Sequence, residues 1–257
     1  MLTEERHEII LNELKKNSVV YVSSLVDLLQ TSESTIRRDL TYLHKQGKLN
    51  KVHGGATMIQ NNIQTKDAEI NVRENLHIEE KLVIAKKAAT LIKPHDFVYI
   101  DAGTTTNLMI DFITEKNATY VTNGLLHASR LISKGFRTYL LGGEIKPLTQ
   151  AIIGGEAISC LEKYHFTVGF FGTNGICVKE GFTTPEIKEA LVKKLAIEHT
   201  RNPYILADNS KYNEVSSVTF AKIEDAAIIS TSKFSNYKEL VKKETNVLEV
   251  DEEWFIQ

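Results

Sequence analysis

The sequence predicts an α/β protein in two parts: a small N-terminal helical module that ends in a β-hairpin, and a larger C-terminal domain with an open, mostly parallel sheet covered by helices. Two observations support this prediction. In the first part, apolar residues recur at helical spacing, and strand-like alternation appears only at the end. In the second part, short apolar runs alternate with amphipathic segments of helical length.

The composition is that of an ordinary globular protein. Of 257 residues, 42% are hydrophobic and 25% charged, which excludes collagen, coiled coil and disorder. The net charge is −2, so bulk charge gives no sign of nucleic-acid binding. Apolar runs are far shorter than the ~20 residues of a membrane helix, and the start of the chain is charged where a signal peptide is apolar. Two cysteines, Cys160 and Cys177, suit a reducing compartment. We expect a cytoplasmic protein with no membrane partner, no metal and no cofactor.

Residues 1–57 form the first predicted domain. Its helices cover Thr3 to Lys16, a short segment with Ser23 as N-cap, and Ser32 to the helix-ending Gly47. Residues 48–56 then alternate apolar and polar up to Gly54-Gly55, which predicts a hairpin. This order is typical of a winged helix-turn-helix.

The third helix is the predicted DNA-reading element. Ile36 and Leu40 point to the core, while small polar and cationic side chains begin the helix and continue in the wing. An arginine side chain can form two hydrogen bonds with one guanine base, and serine or threonine hydroxyls can bind a phosphate group. From residue 32 to 57 the charge is 5 − 2 = +3. The candidate DNA-binding residues are Ser32, Ser34, Thr35, Arg37, Arg38, Lys48, Lys51 and His53.

A competing interpretation is that Arg37 and Arg38 only solvate an exposed face and that Asp39 pairs with one of them. A carboxylate close to DNA phosphate is unfavourable, so we expect Asp39 to orient an arginine or lysine. His53 either touches phosphate or closes the wing.

Residues 58–75 are polar, with Gln60-Asn61-Asn62 and Lys66-Asp67, and form the predicted linker. Residues 76–257 form the second domain. Its predicted strands are Phe97–Ile100, Tyr120–Thr122, Thr138–Leu141, Val168–Phe171, Tyr204–Ala207 and Ala226–Ile229. Its predicted helices lie near His77–Ile92, Asn107–Ile113, Leu125–Ser133, Glu156–Tyr164, Pro185–His199 and Tyr237–Lys243.

Polar loops follow these strands. Asp101-Ala-Gly-Thr-Thr-Thr106 joins a strand to a helix and can present backbone amides and hydroxyls to a phosphate. It lacks the glycine spacing of a dinucleotide or ATP loop, and a plain tight turn is the alternative. Similar polar loops follow other apolar runs, at residues 122–124, 142–144, 172–175 and 208–211. Ligands of open α/β sheets bind at the carboxyl ends of the strands, so these loops predict one pocket.

Both domains contain extended sequence motifs. The motifs of the first domain are Thr35-Ile-Arg-Arg-Asp-Leu40, Leu43, Gly47 and Lys51-Val-His-Gly-Gly-Ala56. Those of the second domain are the Asp101 loop, Thr122-Asn123, Leu141-Gly-Gly143, Phe171-Gly172, Asn174-Gly-Ile176, Gly181-Phe-Thr-Thr-Pro185, Glu189 with Lys193, and Leu206-Ala-Asp-Asn-Ser-Lys211. This pattern resembles the DeoR family of bacterial transcriptional regulators, although Lys51 stands where that family often has arginine. The resemblance implies a C-terminal sensor similar in fold to ribose-5-phosphate isomerase and glucosamine-6-phosphate deaminase.

The resemblance also implies an effector site for a phosphorylated sugar, with threonine hydroxyls on the phosphate and Asp101 on a sugar hydroxyl. The candidate effector-binding residues are Asp101, Gly103, Thr104, Thr105, Thr106, Thr122, Asn123, Gly142, Gly143, Lys193, Asp208 and Lys211. Alternatives remain for some of them. Gly142 and Gly143 can simply permit tight turns, and Lys193 can pair with Glu189 one helical turn away. Arg73 is a further phosphate candidate.

The implied function is a homo-oligomeric repressor, dimer or tetramer, of a sugar uptake or catabolism operon, with double-stranded operator DNA and a sugar phosphate as partners. Residues 1–7 and the sensor loops are similar to fructose operon repressors of Gram-positive bacteria, which implies fructose 1-phosphate as the first candidate effector, followed by tagatose 6-phosphate and other hexose phosphates. Activation instead of repression stays open. The alternative from another class is a sugar-phosphate isomerase or deaminase. It is disfavoured because the glycine-rich loop of the isomerase, with its lysine and glutamate, is not intact.

Overall fold

The computed structural model describes residues 2–46, 48–58, 63, 65, 70–232 and 236–251. The chain divides into two compact units. The first comprises residues 1–62 and 234–240, and the second comprises residues 63–233 and 241–257. None of the helices within the described ranges is long and apolar enough to cross a membrane.

The first unit is a winged helix-turn-helix. Its elements are α1 (Thr3–Asn17), β1 (Val19–Tyr21), α2 (Val22–Leu29), α3 (Glu33–Lys45), β2 (Asn50–Val52) and β3 (Gly55–Thr57). The strands form an antiparallel sheet in the order β1-β3-β2. Apolar side chains of all three helices meet in one core, with Ile10, Ile36, Leu40 and Leu43 completely covered. The predicted order of elements is confirmed.

Two details of this unit differ from the prediction. Strand β1 was not expected, and it runs directly into α2, so Ser23 is not the N-cap but lies inside the first turn. The amide of Val22 instead donates to the carbonyl of Gly54 at 2.9 Å, and this contact with the hairpin replaces a capping side chain. Helix α3 ends at Lys45. Gly47, predicted to end it, lies outside the described residues, as do Gln60-Asn61-Asn62 and Lys66-Asp67 of the predicted linker.

The second unit is built on a seven-stranded sheet in the order β15-β14-β12-β9-β4-β5-β6, with every neighbouring pair parallel. Its strands are β4 (Phe97–Ile100), β5 (Thr119–Thr122), β6 (Arg137–Leu140), β9 (Val168–Gly172), β12 (Pro203–Leu206), β14 (Ala227–Thr231) and β15 (Val247–Val250). The central strands are almost wholly buried because helices cover the sheet. The predicted open parallel sheet is confirmed.

Two smaller β structures accompany the main sheet. A hairpin is formed by β7 (Glu144–Ile145) and β8 (Ile152–Ile153), and an antiparallel sheet by β10 (Gly175–Cys177), β11 (Gly181–Thr184) and β13 (Val218–Ala221). The prediction missed all five strands. They are short, and segments such as Gly181-Phe-Thr-Thr184 lack the continuous apolar character that identified the main strands.

Seven α-helices and two short 3-10 helices, Asn209–Lys211 and Ile223–Asp225, complete the described fold. The α-helices are α4 (Ile70–Asn75), α5 (Ile78–Ala89), α6 (Thr104–Phe112), α7 (Leu125–Ser133), α8 (Gly155–Leu161), α9 (Ile187–Glu198) and α10 (Asn236–Val241), of which α10 falls mostly in the first unit. Helix α4 forms within the stretch predicted to be linker. Helices α5 and α6 pack together over the apolar core that contains Val98, Ile100 and Phe170.

Candidate functional site

The first unit presents a positively charged face made by α3 and the wing. A shallow depression on it is lined by Arg37, Arg38, Thr41, Tyr42, Lys45 and Lys51. Lys51 on β2 donates to the hydroxyl of Thr41 at 2.7 Å, which fixes the wing strand against the helix. Arg37 is paired with Glu33 one turn earlier at 2.5 Å. The structure therefore brings three of the predicted DNA-binding residues, Arg37, Arg38 and Lys51, onto one solvent-exposed surface.

The other predicted DNA-binding residues lie around this face. Ser32 is the N-cap of α3, and its hydroxyl accepts from the amide of Thr35 at 3.3 Å. Ser34 is exposed in the first turn, and Lys48 and His53 are exposed in the wing. These side chains remain accessible to a phosphate, although Ser32 also has a structural task at the start of the helix.

Asp39 orients an arginine, as expected, but the partner is on another helix. Its carboxylate accepts from Arg6 of α1 at 2.5 and 3.0 Å and lies 3.1 Å from Nε2 of His7. Burial raises the pKa of this carboxyl, but the hydrogen bonds from Arg6 and His7 outweigh it and hold the pKa below its ordinary value. Asp39 is thus paired with Arg6 and His7 and not with Arg37 or Arg38, so that part of the competing interpretation is wrong.

The second unit carries a buried ion pair at the carboxyl end of its sheet. Asp101 follows β4 and is 1% exposed. Its Oδ2 accepts from the amide of Gly172, at the end of neighbouring β9, at 3.0 Å, and from the ammonium of Lys193 on α9. Lys193 therefore pairs with Asp101 and not with Glu189, and the surface-pair alternative is wrong.

The environment of Asp101 is unusual for a carboxylate. Burial raises its pKa, and Lys193 and the Gly172 amide only partly oppose that effect. The second oxygen, Oδ1, is buried and has no hydrogen-bond partner in the described part of the chain. A buried acceptor without a donor is costly. Asp101 does not itself line either of the neighbouring cavities, but its partner Lys193 lines one of them and Gly172 lines both.

The loop after Asp101 begins α6, and its three threonines differ in role. Thr104 and Thr105 line a cavity at the start of the helix. Thr106 faces inward and donates to the carbonyl of Asp101 at 2.6 Å. Of the three predicted hydroxyl ligands, Thr106 therefore serves the loop and not the cavity.

His127 of α7 supports the same loop from behind. Its Nε2 lies 3.1 Å from the Thr106 hydroxyl and 3.1 Å from the carbonyl of Gly103. Burial lowers its pKa to about 4, so the ring is neutral at pH 7. The Thr106 hydroxyl donates its proton to the Asp101 carbonyl. We therefore assign the ring proton of His127 to its Nε2 atom. The sequence analysis did not identify this residue.

The residues predicted to form the walls have a supporting role. Asn123 accepts from the amide of Ala102 at 2.8 Å, and the Thr122 hydroxyl accepts from the Gly124 amide at 3.0 Å. Gly143 has φ +143°, and a Cβ there would lie 2.7 Å from the carbonyl of Ile153. Thr122, Asn123, Gly142 and Gly143 do not line either of the two cavities near the start of α6. For Gly143 the tight-turn alternative explains the glycine.

Two adjoining cavities form a cleft at this end of the sheet. The cationic cavity is lined by Arg73, Leu76, His77, Lys81, Gly103, Thr104, Thr105, Gly172, Thr173, Leu206, Asp208, Ser210 and Lys211. The Glu189 cavity is lined by Arg73, Ala102, Gly103, Thr104, Thr149, Gly172, Asn174, Glu189 and Lys193. The predicted residues Arg73, Asp208 and Lys211 thus meet the Thr104 loop.

Two charged residues of the cleft, Lys81 and Glu189, are not among the predicted effector-binding residues. Lys81 on α5 is buried, and its ammonium donates to the carbonyl of Arg73. Glu189 on α9 accepts from Thr149 at 2.8 Å and Lys146 at 3.1 Å. A signal existed for Lys81, because it is in helical register with the buried Ile84, Ala85 and Ala88.

A winged helix-turn-helix on one unit and an α/β unit with a polar cleft at its strand ends are the domain combination of a DNA-binding transcriptional regulator. Residues 6–62 match the DeoR-like helix-turn-helix domain, and residues 76–233 match the DeoR C terminal sensor domain. The chain belongs to the DeoR family of transcriptional regulators.

Individual relatives are similar over nearly the whole chain. An uncharacterized HTH-type transcriptional regulator FruR of Bacillus subtilis strain 168 is 46% identical over 244 residues, covering 93% of this chain and 96% of the relative. The lactose phosphotransferase system repressor of Streptococcus mutans serotype c is 34% identical, covering 94% of this chain and 100% of the relative. Among solved structures, ribose 5-phosphate isomerase A of Neisseria gonorrhoeae aligns with 55% of each chain at 16% identity and a TM-score of 0.40. These relatives are transcriptional regulators, and membership of their family favours a regulator over the isomerase or deaminase alternative.

Proposed function

We propose that this regulator represses a sugar uptake or catabolism operon and is released from its operator by a phosphorylated sugar bound in the cleft. The observation that carries the proposal is the buried Asp101–Lys193 pair, with its unpartnered carboxylate oxygen, next to a cavity lined by three cationic side chains. An anionic phosphate group suits the cationic cavity, and a hydroxyl suits Asp101.

The phosphate is assigned to the start of α6. The amides of the first turn and the hydroxyls of Thr104 and Thr105 provide donors where the helix dipole favours negative charge. Arg73, Lys211 and Asp208 complete the surroundings. The sugar then extends towards Lys193 and Glu189 in the adjoining cavity.

The effector proposed first is fructose 1-phosphate. Its support is the resemblance to fructose operon repressors and the 46% identity to a relative that carries the name FruR. Tagatose 6-phosphate is the second candidate, and other hexose phosphates follow.

We also propose that α3 enters the major groove of the operator DNA. The cationic strip of residues 32–57 has a net charge of only +3, so one copy gains little electrostatic affinity for DNA. Two or more copies, in a dimer or tetramer, bind half-sites ~34 Å or a multiple of that distance apart. The regulator acts in the cytoplasm, where its operator is.

A thermal-shift screen of sugar phosphates tests the proposal. A second measurement then follows release of the protein from operator DNA. The effector raises the melting temperature of the full chain by mass action, whereas the same sugar without phosphate does not. Asp101→Asn retains operator binding and loses release. The matched control Asp111→Asn, at an exposed carboxylate paired with Arg130, keeps both activities. Normal release from the Asp101→Asn protein contradicts the assigned site.

A further inference from the structure

The two edges of the seven-stranded sheet are protected from other chains to different degrees. At one edge, β15 ends at the buried Val250, and its exposed position carries the charge of Glu249, which pairs with Lys242. At the other edge, three of the four residues of β6 are exposed, among them Tyr139 and Leu140, whose side chains lie on opposite faces of the sheet. An exposed apolar edge strand tends to associate with another chain, so β6 marks the edge that a partner would cover.

Exposed apolar side chains continue from β6 across three neighbouring elements. Helix α7 begins just after β5, the strand that pairs with β6, and the amide of Leu125 at its start donates to the carbonyl of Gln150 in the β7–β8 hairpin at 3.1 Å. From α9, Lys188 pairs with Glu144 of β7 at 2.5 Å. The hairpin therefore joins the start of α7 to the start of α9. Six side chains in this region, each between 37% and 64% exposed, form what we call the edge patch: Leu125, Leu140, Ile145, Leu148, Ile187 and Leu191.

The chemistry of the edge patch suits a second copy of the same surface. Single exposed leucines are normal on a monomer, whereas a contiguous group of this size marks an interaction site. The charges of Glu144 and Lys188 balance each other within the patch, so two copies do not repel and no field of one sign favours an acidic or a basic partner. In a contact with two-fold symmetry a surface meets itself, and an apolar, electrically balanced surface is complementary to itself.

We propose that the edge patch is the surface through which a second copy of this chain binds, in a two-fold symmetric contact. The inference rests on the oligomer named in the proposed function and gives that oligomer a location. It also brings the partner copy next to the effector cleft. In the same hairpin, Thr149 donates to Glu189 of α9 at 2.8 Å, and both residues line the Glu189 cavity. A ligand in that cavity and the partner copy therefore act on the same hairpin.

The experiment is sedimentation velocity of the full chain over about a hundredfold range of concentration. The wild-type protein sediments at twice the 29.0 kDa of one chain or at a higher even multiple. In the double variant Ile187→Glu with Leu191→Glu, the dissociation constant of this contact rises at least a hundredfold, because two charges would be buried without partners. Leu140→Lys, a charge on the edge strand, weakens the same contact. The control Leu28→Glu, at an exposed leucine of α2, keeps the wild-type association.

Circular dichroism of each variant verifies the fold, which these exposed positions leave intact. A double variant that associates like the wild type overturns the inference, and so does a wild-type protein that sediments as one chain. A wild-type tetramer that becomes a dimer in the double variant supports it, because one of two kinds of contact is then lost.

Thermal shift with fructose 1-phosphate and release from operator DNA, measured on the same proteins, separate this inference from the proposed function. A protein that associates through the edge patch but gives neither response retains the inference and loses the proposed function. A single-chain protein that gives both responses retains the sensing function and loses the inference.

Discussion

On the proposed DNA-binding surface, Arg38 and Lys51 are exposed to solvent on a helix and a strand, whereas in the cleft Lys81 and Lys193 are at least 95% buried. The first pair of cations costs the fold little, and we propose that it acts on DNA through a field screened by salt. The second pair has lost its hydration and depends on fixed partners. Substitutions on the surface should therefore weaken DNA binding without harming the fold, while substitutions in the cleft should affect both the fold and the response to a ligand.

The largest effect is expected for Lys193→Met. This change leaves the Asp101 carboxylate buried without its cation, and breaking a buried pair typically costs about 3 to 5 kcal/mol. Urea unfolding of the full chain measures it. Lys194→Met, one residue along the same helix at an exposed position, should change little. Equal stabilities of the two variants would show that the buried pair does not differ from a surface one.

Asp39→Asn tests the buried contact of the first unit. Losing the charged acceptor for Arg6 should cost about 2 kcal/mol at pH 7. Because the pKa of Asp39 is lowered on folding, its contribution is present above the unfolded pKa and is lost as the pH falls through the folded value. The difference between wild type and variant should therefore shrink towards zero below pH 3.8, as followed by circular dichroism. Asp27→Asn, at an exposed carboxylate of α2, is the control, and a pH-independent difference would contradict the mechanism.

Arg38→Ala should weaken operator binding by about 1 to 3 kcal/mol if the side chain reads a base, with no loss of fold stability. Arg37→Ala removes a cation and also frees Glu33 close to the DNA, so its effect should be similar or greater. Fluorescence anisotropy with labelled operator measures both, with the exposed α1 variant Lys16→Ala as control. Unchanged affinity in both arginine variants would remove α3 from the role of reading element.

The smallest effect is expected for Lys51→Ala. Loss of a phosphate contact in the wing should weaken binding about equally on specific and unrelated DNA. The slope of log affinity against log salt should fall by about 1. A change in sequence preference with an unchanged slope would instead indicate that Lys51 reads a base.

The sequence identified the features that repeat locally. The helical stripes and the hairpin are visible because each has a fixed period. The central strands of the parallel sheet are visible because both of their faces are buried, which makes them continuous apolar runs. The Asp101 loop could be found because a small-residue loop joins a strand to a helix. Strand β1 could not, since three residues that pass directly into a helix have no period of their own.

The partners in the cleft were less predictable. Lys193 has a suitable anion one turn away at Glu189, and only the fold shows that its ammonium reaches Asp101, 92 residues earlier. Thr122 and Asn123 lie at the end of a strand, where ligand-binding residues occur in α/β sheets. Their side chains instead accept hydrogen bonds from neighbouring backbone amides. Which polar side chain faces the cavity depends on tertiary packing, and that information is not local in the sequence.

His127 sets a limit on what the sensor responds to. Its folded pKa of about 4 lies below the ordinary histidine value of about 6.5, so its contribution to stability is complete above pH 6.5 and declines only as the pH falls towards 4. A change of pH close to neutrality therefore does not protonate His127. The loop that His127 supports has no protonation switch at this residue near pH 7.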